Sequence, residues 1–84
     1  MKIEIITPDQ KVYEGDIKSV RVPGSKGSFQ VLKDHAPIVS TLDKGPVIIV
    51  DQAGNVINYE ISGGVIEVKM NSVILLAESI AGVS

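Results

Sequence analysis

The chain contains no cysteine and no tryptophan, one phenylalanine, two tyrosines and one histidine. Without cysteine there is neither a disulfide framework nor a thiolate zinc site. So few rings make a poor stacking platform for single-stranded nucleic acid. Charge of one sign is also lacking: eight basic and ten acidic residues are interspersed, for a formal net charge of −2. No basic run is present to follow a phosphate backbone, so nucleic acid is not an expected partner. Long apolar runs are missing too. Val47 to Val50 and Val73 to Ala77 fall far short of the roughly 20 residues that span a bilayer. The opening MKIEIITP alternates charged and apolar residues and turns at Pro8, unlike a signal peptide. A soluble protein is expected, with no direct membrane insertion and any membrane link made through a partner.

What is present is β-branched. Ile and Val dominate the apolar residues, and such side chains favour a pleated, half-buried surface. Turn signals recur at Pro8-Asp9, Gly15-Asp16, Pro23-Gly24, Gly45-Pro46, Ala53-Gly54-Asn55, Gly63-Gly64 and Asn71-Ser72. Between them lie strand-length runs: Lys2–Thr7, Lys11–Tyr13, Ile17–Val22, Phe29–Leu32, Ile38–Leu42, Val47–Asp51, Val56–Ser62, Val65–Met70 and Val73–Ala77. The period of two sets Ile57, Tyr59 and Ile61 on one face, and Ile66, Val68 and Met70 on another. No segment sustains a helical period. The 84 residues make one domain, 1–84, with no internal repeat or linker. The expected fold is all-β, a small two-sheet β-sandwich or flattened barrel of about ten short, mostly antiparallel strands.

Candidate chemistry is sparse. His35 is the only imidazole, and no nucleophile elbow accompanies it, so a catalytic triad is not expected. One His without Cys, and no carboxylates spaced as a loop ligand set, leaves no metal site. Gly24-Ser25-Lys26-Gly27 lacks the Lys-Ser/Thr pair and the following helix of a phosphate loop. No cofactor is expected. Asp43-Lys44-Gly45 reads as a hairpin turn between two strands. Lipoyl and biotinyl carrier domains display a modifiable lysine on such a hairpin, so a carrier modified on Lys44 is the alternative function. Gly63-Gly64 permits a tight bend, a bulge or close backbone approach.

Taken in order, several stretches carry a resemblance. They are Val20-Arg21-Val22-Pro23-Gly24-Ser25-Lys26-Gly27-Ser28-Phe29, His35-Ala36-Pro37-Ile38, Leu42-Asp43-Lys44-Gly45 and Ile61-Ser62-Gly63-Gly64-Val65-Ile66-Glu67-Val68. Over nearly its whole length the chain resembles the N-terminal β-sandwich domain of the epsilon subunit of F-type ATP synthases. The resemblance implies a non-catalytic rotor part that clamps the gamma subunit of the central stalk, rests on the polar loops of the c-ring, and couples ion-driven rotation to ATP synthesis. It implies that Thr7, His35 and Ser40 lie toward the stalk, and that Gly27, Ser28 and Phe29 form the ring-facing loop. His35 would be the one candidate for a pH-responsive contact there. The ring-facing position is often acidic in the family, whereas here it is Ser28. The family commonly continues into a helical hairpin with no counterpart in this sequence, so coupling without hairpin inhibition and without a nucleotide site is expected. The implied location is peripheral, on the cytoplasmic face of a bacterial inner membrane or the stromal face of a plastid thylakoid. Exposed edge strands would allow weak self-association of the isolated domain.

Overall fold

The computed structural model describes residues 1–83. Nine strands form it: β1 (Lys2–Ile6), β2 (Lys11–Val22), β3 (Phe29–Leu32), β4 (Ile38–Leu42), β5 (Gly45–Asp51), β6 (Val56–Ile61), β7 (Gly64–Lys69), β8 (Ser72–Ala77) and β9 (Ile80–Val83). One sheet runs β4-β7-β8-β1-β2 and the other β3-β2-β5-β6-β9, so β2 belongs to both. The expected two-layer all-β sandwich is what the chain adopts. All pairings are antiparallel except β1 with β8, which run parallel with Ile3 beside Val73 and Ile5 beside Leu75.

The strand bounds hold at most positions and fail at four instructive ones. Lys11–Tyr13 and Ile17–Val22 are a single strand, because Gly15-Asp16 is no turn. The chain passes there from one sheet to the other, with a register shift between Ile17 and Ser19 that turns Val20 as well as Ile17 inward. β9 was not expected; its Ile80-Ala81-Gly82 has little alternation and is recruited by β6, which it pairs from Asn58 to Ile61. Met70 does not join Ile66 and Val68 inside. It is 84% exposed at a two-residue hairpin turn in which Met70 (φ 51°) and Asn71 (φ 61°) are both left-handed. Asp43-Lys44 is no hairpin tip either: β4 and β5 lie in different sheets, and the exposed Lys44 sits on the link between them.

The core lies between the sheets. Ile3, Ile5, Ile66, Val68, Val73 and Leu75 from the first sheet meet Val20, Val22, Val31, Val47, Ile49 and Ile61 from the second. Ile57, Tyr59 and Ile61 share the inward face of β6 as their period requires. At one lateral margin Tyr13 and Tyr59 meet edge to face, their ring centroids 6.5 Å apart. At the other, segment 23–25 pairs with 41–43 through Ser25 N–H to the Thr41 carbonyl (3.0 Å) and Asp43 N–H to the Pro23 carbonyl (2.8 Å). This partly closes the sandwich into a flattened barrel.

Candidate docking surfaces

The strand directions sort every loop to one of two ends. One end carries the β1–β2 turn with Thr7, the Gly24–Ser28 loop, the β4–β5 link and Gly63. The other carries His35, the Met70-Asn71 turn and the Asp51–Asn55 turn.

The Gly24–Ser28 loop is strapped rather than loose. Gly27 N–H donates to the Gly24 carbonyl at 2.9 Å, with Gly27 at φ 129°. A Cβ on Gly24 would lie 2.6 Å from the Gly27 carbonyl oxygen and 2.8 Å from the Phe29 ring, so no larger residue fits. Thr41 Oγ1 donates to Ser25 Oγ, which donates to the Asp43 carboxylate, each at 3.0 Å. Arg21 reaches Ser28 Oγ at 3.4 Å. The short β-strand that follows therefore starts from a fixed point.

At the opposite end His35 is half-buried and follows β3 in a turn that its own N–H closes onto the Leu32 carbonyl at 3.1 Å. Its Nδ1 lies 2.6 Å from the Ala36 carbonyl; a carbonyl only accepts, so Nδ1 carries the proton. The preceding Asp34 is left-handed (φ 64°) and is held across the molecule: its N–H donates to Asn71 Oδ1 at 2.7 Å, and Asn71 Nδ2 returns to Asp34 Oδ1 at 3.0 Å.

The site residues expected from the sequence thus form two groups. Gly27, Phe29 and Ser40 line one hollow of about 500 Å³, between the glycine loop and β4. Ser28 sits beside it on Arg21. Thr7 is at the same end but three strand spacings away across the first sheet, about 14 Å. There Thr7 closes its turn with Gln10, donating its N–H to the Gln10 carbonyl at 2.9 Å. His35 is at the far end, and none of Thr7, His35 and Ser40 hydrogen-bonds another among the described residues.

A feature not singled out from the sequence is the outer face of the first sheet. Register places Thr41, Val65, Leu76 and Ile6 side by side on successive strands, with Val39, Glu67, Ile74 and Glu4 in the next row. Leu76 is 49% and Val39 69% exposed. A hollow of about 400 Å³ runs along this apolar band to Thr7 and Pro8, with Glu78 at its rim. The signal was available: Val73 to Ala77 is unbrokenly apolar, and a strand apolar on both faces is one that expects both to be covered.

Beside that band the same face is charged. Lys11 Nζ lies 3.3 Å from both Glu4 and Glu14, and Lys2 Nζ lies 3.2 Å from Glu14. Hydrogen bonds from Lys2 and Lys11 hold the Glu14 carboxyl below its ordinary value, and those to Glu4 and Glu14 raise Lys11. The apolar band is thereby bounded by a neutralised lattice.

The fold and these surfaces define a class: a compact β-sandwich whose distinguishing features are faces for contact. The family described as "ATP synthase, Delta/Epsilon chain, beta-sandwich domain" matches residues 1–82, and the chain belongs to it. It is similar to the ATP synthase epsilon chain of Salinibacter ruber, 38% identical over 88 residues, which cover 95% of this chain and 59% of that one. It is also similar to the epsilon chain of Chlorobaculum tepidum, 39% identical over 79 residues, covering 94% and 90%. A chain in the structure of the Euglena gracilis mitochondrial ATP synthase shares the fold, with a TM-score of 0.90 at 20% identity over 95% of this chain and 51% of that one. The chain thus spans about three fifths of its Salinibacter relative and nearly all of its Chlorobaculum relative.

Proposed function

We propose that the chain is a non-catalytic rotor subunit of an ATP synthase, joining the gamma subunit of the central stalk to the c-ring and passing ion-driven rotation to ATP synthesis. The observation that carries this reading is the apolar band of Ile6, Val65 and Leu76 on an otherwise charged sheet, an area that a free domain gains nothing by exposing. In this reading, which membership of the Delta/Epsilon family supports, gamma covers the band, with Thr7 at its end. Ser40 and His35 belong to the stalk side in this reading, and Gly27, Ser28 and Phe29 meet the polar loops of the ring. Ser28 is neutral and already held by Arg21, so the ring contact there rests on hydrogen bonds and shape rather than on carboxylate charge. A close-packed sandwich suits the task because its interior is barely compressible and does not absorb the torque it transmits. The complex sits at an energy-transducing membrane, and this subunit on the cytoplasmic face in a bacterium or the stromal face in a plastid.

Co-purification with a matched gamma subunit tests the reading, together with coupled ATP synthesis in the assembled enzyme. A stable complex is expected. Absence of a complex, or full coupling with His35→Ala and Ser28→Arg combined, overturns the site assignment. Nothing in the geometry favours the carrier alternative, since Lys44 lies on a sheet-to-sheet link; its mass in the purified chain is expected to be that of an unmodified lysine.

A further inference from the structure

The hollow at the end of the apolar band has one charged residue in its lining, Glu78. Strand alternation turns Glu78 to the side of Leu76, since Ala77 between them faces inward and is 4% exposed. The Glu78 N–H donates to the Gly63 carbonyl at 3.0 Å, which carries the β7–β8 ladder one pair past Gly64 and Ala77. A Cβ on Gly63 would lie 3.2 Å from the Glu78 carboxylate, so the bare backbone there leaves that group its place. On the other side, the parallel register of Ile6 with Leu76 carries on to set Thr7 beside Ala77 and Pro8 beside Glu78.

The other charges around this face answer one another. Lys2 and Lys11 are matched by Glu4 and Glu14. Asp16 lies 4.0 Å from the Met1 amine. Glu67 and Lys69 follow each other on the same side of β7. Asp43 and Lys44 are neighbours on the link that crosses to the second sheet, and Lys26 is on the Gly24–Ser28 loop beyond β4. What is left at the hollow is Glu78 and, next to Pro8, Asp9, both exposed and negative. Glu78 makes no ion pair among the described residues.

We propose that this hollow takes a lysine or arginine side chain of gamma. Its aliphatic stem lies on Ile6, Val65 and Leu76, and its cationic head meets Glu78. The inference rests on the stalk reading and adds a charged anchor to an apolar contact. The band alone would accept any apolar surface, whereas a carboxylate covered by a partner must be answered by a cation, so Glu78 selects what docks.

The test is titration of the whole chain against its matched gamma subunit at low and high salt. Glu78→Gln is expected to weaken binding about tenfold at low salt and to flatten its salt dependence. Glu78→Lys is expected to weaken it further. Glu67→Gln leaves the hollow untouched and is expected to bind within about twofold of the parent. All three side chains replaced are exposed, and the variants are expected to keep the parent's urea midpoint. Parental affinity in Glu78→Gln, or equal losses in Glu67→Gln and Glu78→Gln, overturns the proposal and leaves the stalk reading standing. Absence of gamma binding by the parent chain overturns both.

Discussion

Leu75 and Leu76 are neighbours on β8 with opposite fates, and truncating each to alanine separates folding from docking. Leu75 is 0% exposed between the sheets, whereas Leu76 is 49% exposed on the apolar band. Leu75→Ala removes a fully packed side chain, a change that costs about 2–5 kcal/mol. A domain of 84 residues has a total stability of about 4–13 kcal/mol, so this variant loses a large share of it. Leu76→Ala costs the free chain no more than about 1 kcal/mol, because half of the side chain is already in water. When a partner covers the band, the other half is buried, and its loss weakens binding by about 1 kcal/mol, roughly fivefold in Kd. Urea unfolding followed by circular dichroism gives the first quantity, and titration against gamma the second. If Leu76→Ala destabilises the free chain as much as Leu75→Ala, the outer face is part of the core. If Leu76→Lys, which adds a charge to be desolvated, binds gamma as well as the parent, the band does not dock.

Gly64→Ala is expected to lower the urea midpoint through about 1–3 kcal/mol of overpacking, because its new Cβ falls on the Leu76 carbonyl oxygen at the end of the β7–β8 ladder. Asn71→Ala breaks the reciprocal bonds to Asp34 and is expected to cost about 1 kcal/mol and to speed exchange of the Asp34 amide. The Glu14 carboxyl is depressed below its ordinary 4.5, so the stability it lends is complete above that value and is lost as pH falls through the folded value. Lys11 is raised above 10.5, so its contribution is complete below that value and is lost as pH rises through the folded one. Melting temperatures across pH at low and high salt are expected to show both losses, each shrinking with salt because the groups are exposed.

Most of the strand plan was legible because alternation and turn chemistry are local. Ile57, Tyr59 and Ile61 face inward as read, and the turns at Pro8, Gly54 and Gly63 fall where their residues require. The misreadings share a cause. Gly15-Asp16 has the chemistry of a reversal, but whether the chain reverses or crosses between sheets depends on the distant pairing of β2 with β1 and β5. Asp43-Lys44 reads as a hairpin only if its flanking strands pair, and they do not. Met70 continued the alternation of β7 until the two-residue turn with Asn71 took it out. β9 has almost no pattern of its own and is a strand because β6 offers an edge. For the candidate surfaces, the one Phe and the one His lie within residues 24–37, yet Phe29 and His35 serve opposite ends of the molecule. The apolar band was written as an unbroken run at Val73 to Ala77, and its neighbours Ile6 and Val65 are joined to it only by strand order.

The parallel pairing of β1 with β8 bears on the order in which the protein is made. Residues 2–6 occupy the interior of the first sheet, flanked by β2 on one side and by residues 72–76 on the other. During synthesis β1 and β2 can meet early as a hairpin, but the other edge of β1 stays bare until residues 72–76 have left the ribosome. Closing a loop of that length is slow compared with local pairing. Until it closes, Ile3 and Ile5 have no cover from Val73 and Leu75. The nascent domain therefore carries an open, sticky strand until β8 emerges to pair with it.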